Sequence, residues 1–133
     1  MDRKFWLSAA VMFALSMAAG YVVHGVVLFE DYGRLASLFR PPAEAEAYFA
    51  AMLVAHVFIA VAFVWIYLKG KEDKPFLAQG LRYGAAIVAL VTIPTYLIYY
   101  AVQPMPGFLV AKQIVLDGIS VLIMGVVLAW MNR

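Results

Sequence analysis

The segment Tyr48–Leu68, YFAAMLVAHVFIAVAFVWIYL, contains no Asp, Glu, Lys or Arg. Within it only His56 titrates near neutral pH. A helix needs about 20 mostly apolar residues to cross roughly 30 Å of hydrocarbon, and this run has that length. Lipid offers no partner for a free backbone N–H or C=O, so a span of this kind must be helical. Working outward, Phe5–Phe29, Tyr83–Val102 and Phe108–Trp130 read the same way. The chain therefore reads as an all-α protein with four transmembrane helices, forming a single domain over residues 1–133.

Composition supports the same class. The chain is 66% hydrophobic and 14% charged, with a mean hydropathy of +0.90. Soluble domains are about half apolar and about a quarter charged. A chain of this size keeps much of its surface exposed, so the excess of apolar side chains has to face lipid. A net charge of +2 with its basic residues in short loops gives no basic patch for nucleic acid. The absence of cysteine removes disulfides, thiolate metal sites and thiol catalysis.

The first span has a competing reading. Asp2-Arg3-Lys4, an apolar run and Ser16-Met17-Ala18 resemble a secretory signal with a small-residue cleavage site. The apolar run continues to Phe29, which suits a membrane span better.

Orientation follows from basic residues in short loops. Arg3, Lys4, Lys69, Lys71, Lys74, Arg82 and Arg133 fall on one side, and Arg34 and Arg40 on the other. The bias places both termini in the cytoplasm. Trp6, Trp65, Tyr67 and Trp130 lie near the same ends, where amphipathic rings prefer the interface. Short connections predict an antiparallel up-down bundle. In the first outer loop, Leu35, Leu38 and Phe39 are expected on one face of a short turn resting on the membrane. Pro41-Pro42 then opens the second span, with Glu44 and Glu46 in its first turn. Gln103-Pro104-Met105-Pro106-Gly107 reads as a tight, stiff turn.

Function should show in polar residues inside the membrane. His24, His56, Lys112 and Asp117 are ionisable residues within spans. At about 1.5 Å per residue, Asp117 and His56 lie roughly 3 Å outward of the midplane, and His24 and Lys112 roughly 10–11 Å outward. Gln113, Asp117 and Ser120 share one helical face, and Thr92, Thr95, Tyr96 and Tyr99 share another. Pro94 removes a backbone donor and frees the carbonyl of Leu90, which predicts a kink. Ser16, Gly20 and His24 form a stripe on the first span that lets another helix come close. Together these predict an outward-facing polar cavity, with His24, His56, Thr95, Tyr96, Tyr99, Lys112, Gln113 and Asp117 as ligand-binding candidates.

Each candidate also has a plainer reading. Lys112 near a helix end can snorkel to the interface, and His24 can be a hydrogen-bonded interface histidine. His56 can be a neutral core histidine with one partner, and Asp117 can simply bond to His56. Met52 and His56, four apart, form a soft-metal pair that chance explains in a chain with seven methionines. His24 and His56 are weak metal candidates. As paired axial ligands of one haem they conflict with a depth difference of roughly 8 Å, although a single-histidine haem stays open. No cofactor is predicted from the residues.

The whole chain resembles a group of small, uncharacterised four-helix bacterial inner-membrane proteins. The residues that carry this are Gly20 with His24-Gly25; Gln79-Gly80-Leu81-Arg82-Tyr83-Gly84; Pro94-Thr95-Tyr96 with Tyr99-Tyr100; and Met124-Gly125 with Ala129-Trp130. The resemblance implies a fold and a location. The group has no assigned activity, so no catalytic residue carries over.

The functional expectation is a small membrane protein that binds a small ligand, ion or lipid, or serves as an accessory subunit to a larger membrane protein. A proton-coupled transporter acting as an oligomer is the alternative, and a haem- or metal-binding protein using His24 or His56 is another. A homodimer fits the small-residue stripe. The reading leans away from an enzyme, because no nucleophile–base pair or metal-binding signature is present.

Overall fold

A computed structural model describes residues 1–133. Every regular element is helical. Four helices are long and apolar enough to cross a membrane: Arg3–Val27, Phe49–Gly70, Phe76–Val102 and Gly107–Met131. The shortest has 22 residues and the longest 27, or roughly 33 to 40 Å at 1.5 Å per residue. Large apolar side chains stand open along them, among them Phe58 at 72%, Leu90 at 73% and Phe108 at 74% exposure. In water such surface would aggregate, whereas in lipid it is already solvated. The chain divides into two compact units, Met1–Phe63 and Val64–Arg133.

In the first unit, the carboxylate of Asp2 accepts from the Phe5 N–H at 2.9 Å, capping the opening helix. Phe5, Ser8, Ala9, Met12 and Ser16 are buried along this helix at spacings of three and four, which is a single stripe. From Tyr21 to Val27 the helix loosens into π geometry. The Leu28 N–H then bonds the Val23 carbonyl, five residues back, at 2.9 Å. His24 sits inside this loosened stretch, of a kind often found at functional positions.

The connection between the first two long helices is more structured than a single turn. It runs through a short helix Phe29–Gly33, a 3-10 turn Ala36–Leu38 and a separate helix Pro42–Ala47. The proline pair does open a helix, with Pro42 in its first turn. Glu44 and Glu46, however, belong to this short helix and not to the second span. The helix ends because the Tyr48 N–H bonds back to Ala45, three residues earlier, at 3.0 Å and the chain leaves helical geometry there. The span begins afresh at Phe49.

In the second unit, the third long helix starts at Phe76, seven residues before the Tyr83 expected from hydropathy. Hydropathy marks where a helix becomes apolar enough for hydrocarbon, and it does not report helical residues that precede that point. Its early residues are fixed by polar contacts. Arg82 donates to Glu72 at 2.8 Å and to Gln79 at 3.2 Å. Glu72 also pairs with Lys74 at 2.6 Å. Hydrogen bonds from Lys74 and Arg82 hold the Glu72 carboxyl below the usual carboxylate range.

The third helix breaks its α pattern just before Pro94, with π geometry over Val88–Thr92. Here the Ile93 N–H reaches the Val88 carbonyl, and Pro94 has no N–H to give. This π stretch lies directly before Pro94, where the kink is expected. Further down, Gly80 and Gly84 lie against Gly125 and Leu122 of the fourth helix. A Cβ on Gly80 would meet Val126 Cα at 2.5 Å, and one on Gly84 would meet Leu122 Cα at 3.0 Å. Small residues four apart let backbones touch in this way. At the other end, a Cβ on Gly107 would lie 3.3 Å from the Tyr100 hydroxyl.

Candidate functional site

The sequence candidates fall in both units. In the second unit, the Tyr96 hydroxyl donates to Asp117 Oδ2. Tyr96 follows the π turn and Pro94, and Asp117 lies near the middle of the fourth helix. Both side chains are half-buried. Gln113, one turn before Asp117, is buried, and so is Thr92, one turn before Tyr96. Burial thus follows the four-residue lines Thr92–Tyr96 and Gln113–Asp117. Thr95 and Tyr99 sit to the side of the first line and are exposed, Tyr99 by 46%. Lys112 reaches back one turn, with its ammonium 4.7 Å from the centre of the Phe108 ring. That direction carries its charge toward the helix start, as snorkelling requires.

Chemically, an ionised carboxylate inside a membrane is costly unless it is hydrogen-bonded. The tyrosine hydroxyl supplies one such bond. A carboxylate has capacity for several more, so the pair can hold a proton, a cation or a hydrogen-bond donor at the same oxygens.

In the first unit the two histidines have separate partners. His56 Nδ1 lies 2.9 Å from Ser16 Oγ. Ser16 also lies 3.0 Å from the Phe13 carbonyl, which can only accept. The hydroxyl has one proton, so when it goes to Phe13, His56 must donate from Nδ1 and keep Nε2 as an acceptor. The ring edge rests near Gly20, whose Cβ would stand 3.8 Å from His56 Cε1. The stripe of small residues on the first helix therefore receives a histidine from the second. Met52, the suggested soft-metal companion of His56, is exposed.

His24 Nδ1 lies 2.6 Å from the Tyr32 hydroxyl, and the two rings stack at 5.9 Å. Tyr32 meets Phe39 edge-on at 5.2 Å. These residues line an open cleft of about 670 Å³ with Arg40, Pro41 and Pro42. The Arg40 guanidinium pairs with Glu44 at 2.6 Å and lies 3.9 Å above the Tyr48 ring. No group of three or more His, Asp or Glu side chains is arranged to hold a metal ion.

Several of these partners carry no clear sequence signal. Tyr32 meets His24 because the chain folds back after Leu28, which periodicity does not report. Ser16 was legible as part of a small stripe, but its contact with His56 was not. The Gly80–Gly84 spacing was visible and marks where two backbones meet. No known protein family, curated protein or solved structure matches the chain.

Proposed function

We propose that this is a multi-pass membrane protein that binds a small polar ligand or ion at Asp117. In this reading the four spans alternate up and down, with both termini in the cytoplasm of a bacterium, and Tyr96 and Asp117 lie in the outer half of the bilayer. The observation that carries it is the Tyr96–Asp117 hydrogen bond within membrane-spanning helices. A carboxylate at that depth costs a few kcal/mol to keep ionised, which a purely structural role does not require. The interrupted helix beside it adds support, since π turns and prolines leave backbone carbonyls facing a site.

A proton-coupled carrier is the second reading, favoured by the position of Val88–Thr92 and Pro94 beside the titratable pair. A carrier of this size would act as an oligomer.

The test is a native mass spectrum of the protein released from a mild detergent. A discrete extra mass that is lost in Asp117→Asn is expected. Bare chains from both proteins would remove the binding reading. A proton flux in proteoliposomes that Asp117→Asn abolishes would favour the carrier.

A further inference from the structure

The start of the third long helix carries a second feature, remote in sequence from Asp117. A cleft of about 450 Å³ opens there. Its donors come from three places. Lys71 and Lys74 lie in the preceding loop, Arg133 follows the fourth helix, and Phe76 and Gln79 belong to the helix's first turn.

Three observations give the cleft a preference for anions. First, the helix begins after Pro75 with no side-chain cap. Its opening N–H groups are therefore uncapped donors at the positive end of a helix dipole. Second, Gln79 lines the cleft while only 3% exposed. Its Oε1 accepts from Arg82 at 3.2 Å, which fixes the amide's orientation. Its Nε2 donates to no protein group, leaving two N–H bonds for an occupant. Third, the surrounding cations retain donors. Lys71 spends one N–H on the Asn132 carbonyl at 2.9 Å, and Lys74 one on Glu72 at 2.6 Å. Arg133 is held only over the rings of Phe76 and Trp130, at 6.0 and 5.5 Å.

Two carboxylates share the lining. Glu72 is matched by both Lys74 and Arg82. Asp73 is exposed at the edge of the cleft. The balance of the cluster stays positive, with the buried amide and the helix end pointing the same way.

We propose that this cleft binds a phosphate group, carried by an anionic phospholipid headgroup or supplied as free phosphate. A phosphate has acceptor oxygens enough for the Gln79 amide, the helix start and a flanking cation at once. With the basic loops facing the cytoplasm, the cleft stands at the level of the inner leaflet's headgroups, where anionic lipids gather beside Lys and Arg. The inference uses the membrane-spanning reading but not the Asp117 site.

The experiment uses the full chain in mild detergent. Retention of phosphatidylglycerol and phosphatidylcholine is compared by native mass spectrometry, and inorganic phosphate is titrated separately. One phosphatidylglycerol per chain is expected, held at least about tenfold more tightly than phosphatidylcholine. Gln79→Glu removes the amide donor, keeps an acceptor for Arg82, and should weaken that binding about tenfold. Arg133→Gln, at an exposed residue, should weaken it too and decides the matter if Gln79→Glu does not fold. Binding of inorganic phosphate that both variants weaken, without lipid preference, supports the site and assigns it to free phosphate. Equal lipid and phosphate binding by wild type and folded variants would overturn the proposal. Asp117→Asn should leave these results unchanged, so the two sites stand or fall separately.

Discussion

The carbonyl oxygen of Gly80 lies 2.5 Å from where a Cβ on Gly125 would stand. Two helices meet here backbone to backbone, and neither partner can take a side chain without moving the other. Dispersion contacts between backbones that approach this closely hold helices together in lipid, where burial from water contributes nothing further. Gly125→Ala and Gly80→Ala should each destabilise the fold by about 1–3 kcal/mol, the usual cost of overpacking. Gly20→Ala, whose methyl would make an ordinary 3.8 Å contact with His56, should be tolerated. Unfolding in mixed detergent micelles checks the contrast, and equal stability of all three variants would contradict it.

Tyr96→Phe removes the donor to Asp117 and leaves a carboxylate short of one hydrogen bond. A loss of about 1–3 kcal/mol is expected while Asp117 is present. In an Asp117→Asn background the same change should cost less, because the pair acts as a unit. A double-mutant cycle measures the coupling, and strictly additive effects would show that the bond carries no energy.

Ser16→Ala deprives His56 of its hydroxyl partner. The expected cost is about 0.5–1.5 kcal/mol. The ring nitrogen resonances of His56 should move as well, since the tautomer is set by the bond at Nδ1. Unchanged nitrogen shifts would mean that the Ser16 contact does not set it.

Glu72 has its carboxyl held low by Lys74 and Arg82. A depressed folded value means that the ionised form is favoured by folding. Its contribution is present above the unfolded carboxylate value and is lost as the pH falls through the folded one. The group is exposed, so the effect is small and salt-sensitive. Unfolding midpoints of wild type and Glu72→Gln should differ near neutrality and converge below the carboxylate range. A gap independent of pH would rule this pair out as its source.

The proposed orientation can be tested directly, because the chain has no cysteine. Lys74→Cys should react with a membrane-impermeant thiol reagent only from the cytoplasmic side, and Glu46→Cys only from outside. The opposite pattern would invert the topology and move the phosphate cleft to the outer leaflet.

Much of the architecture follows from sequence alone. Runs such as Tyr48–Leu68 are long and apolar enough to cross a membrane, and a crossing segment has to be helical because every backbone group must bond within it. That the helix pattern is disturbed near Pro94 was legible, since proline lacks an N–H, but the π geometry over Val88–Thr92 was not. The identity of the polar residues was legible for the same reason: His24, His56, Lys112 and Asp117 stand out against an apolar background. Pairing was decided by tertiary structure. Asp117 meets Tyr96, His56 meets Ser16, and His24 meets Tyr32 through a connection that folds back on itself. Helical period tells which residues share a face, but not which neighbour that face meets. Gln79 shows the limit most clearly. In sequence it is a polar residue near a loop, yet the touching backbones of Gly80 and Gly125 lie beside it in a fold that buries its amide in a cationic cleft. Hydropathy fixes the solvent of each segment, and packing distances fix which groups are left to meet a ligand.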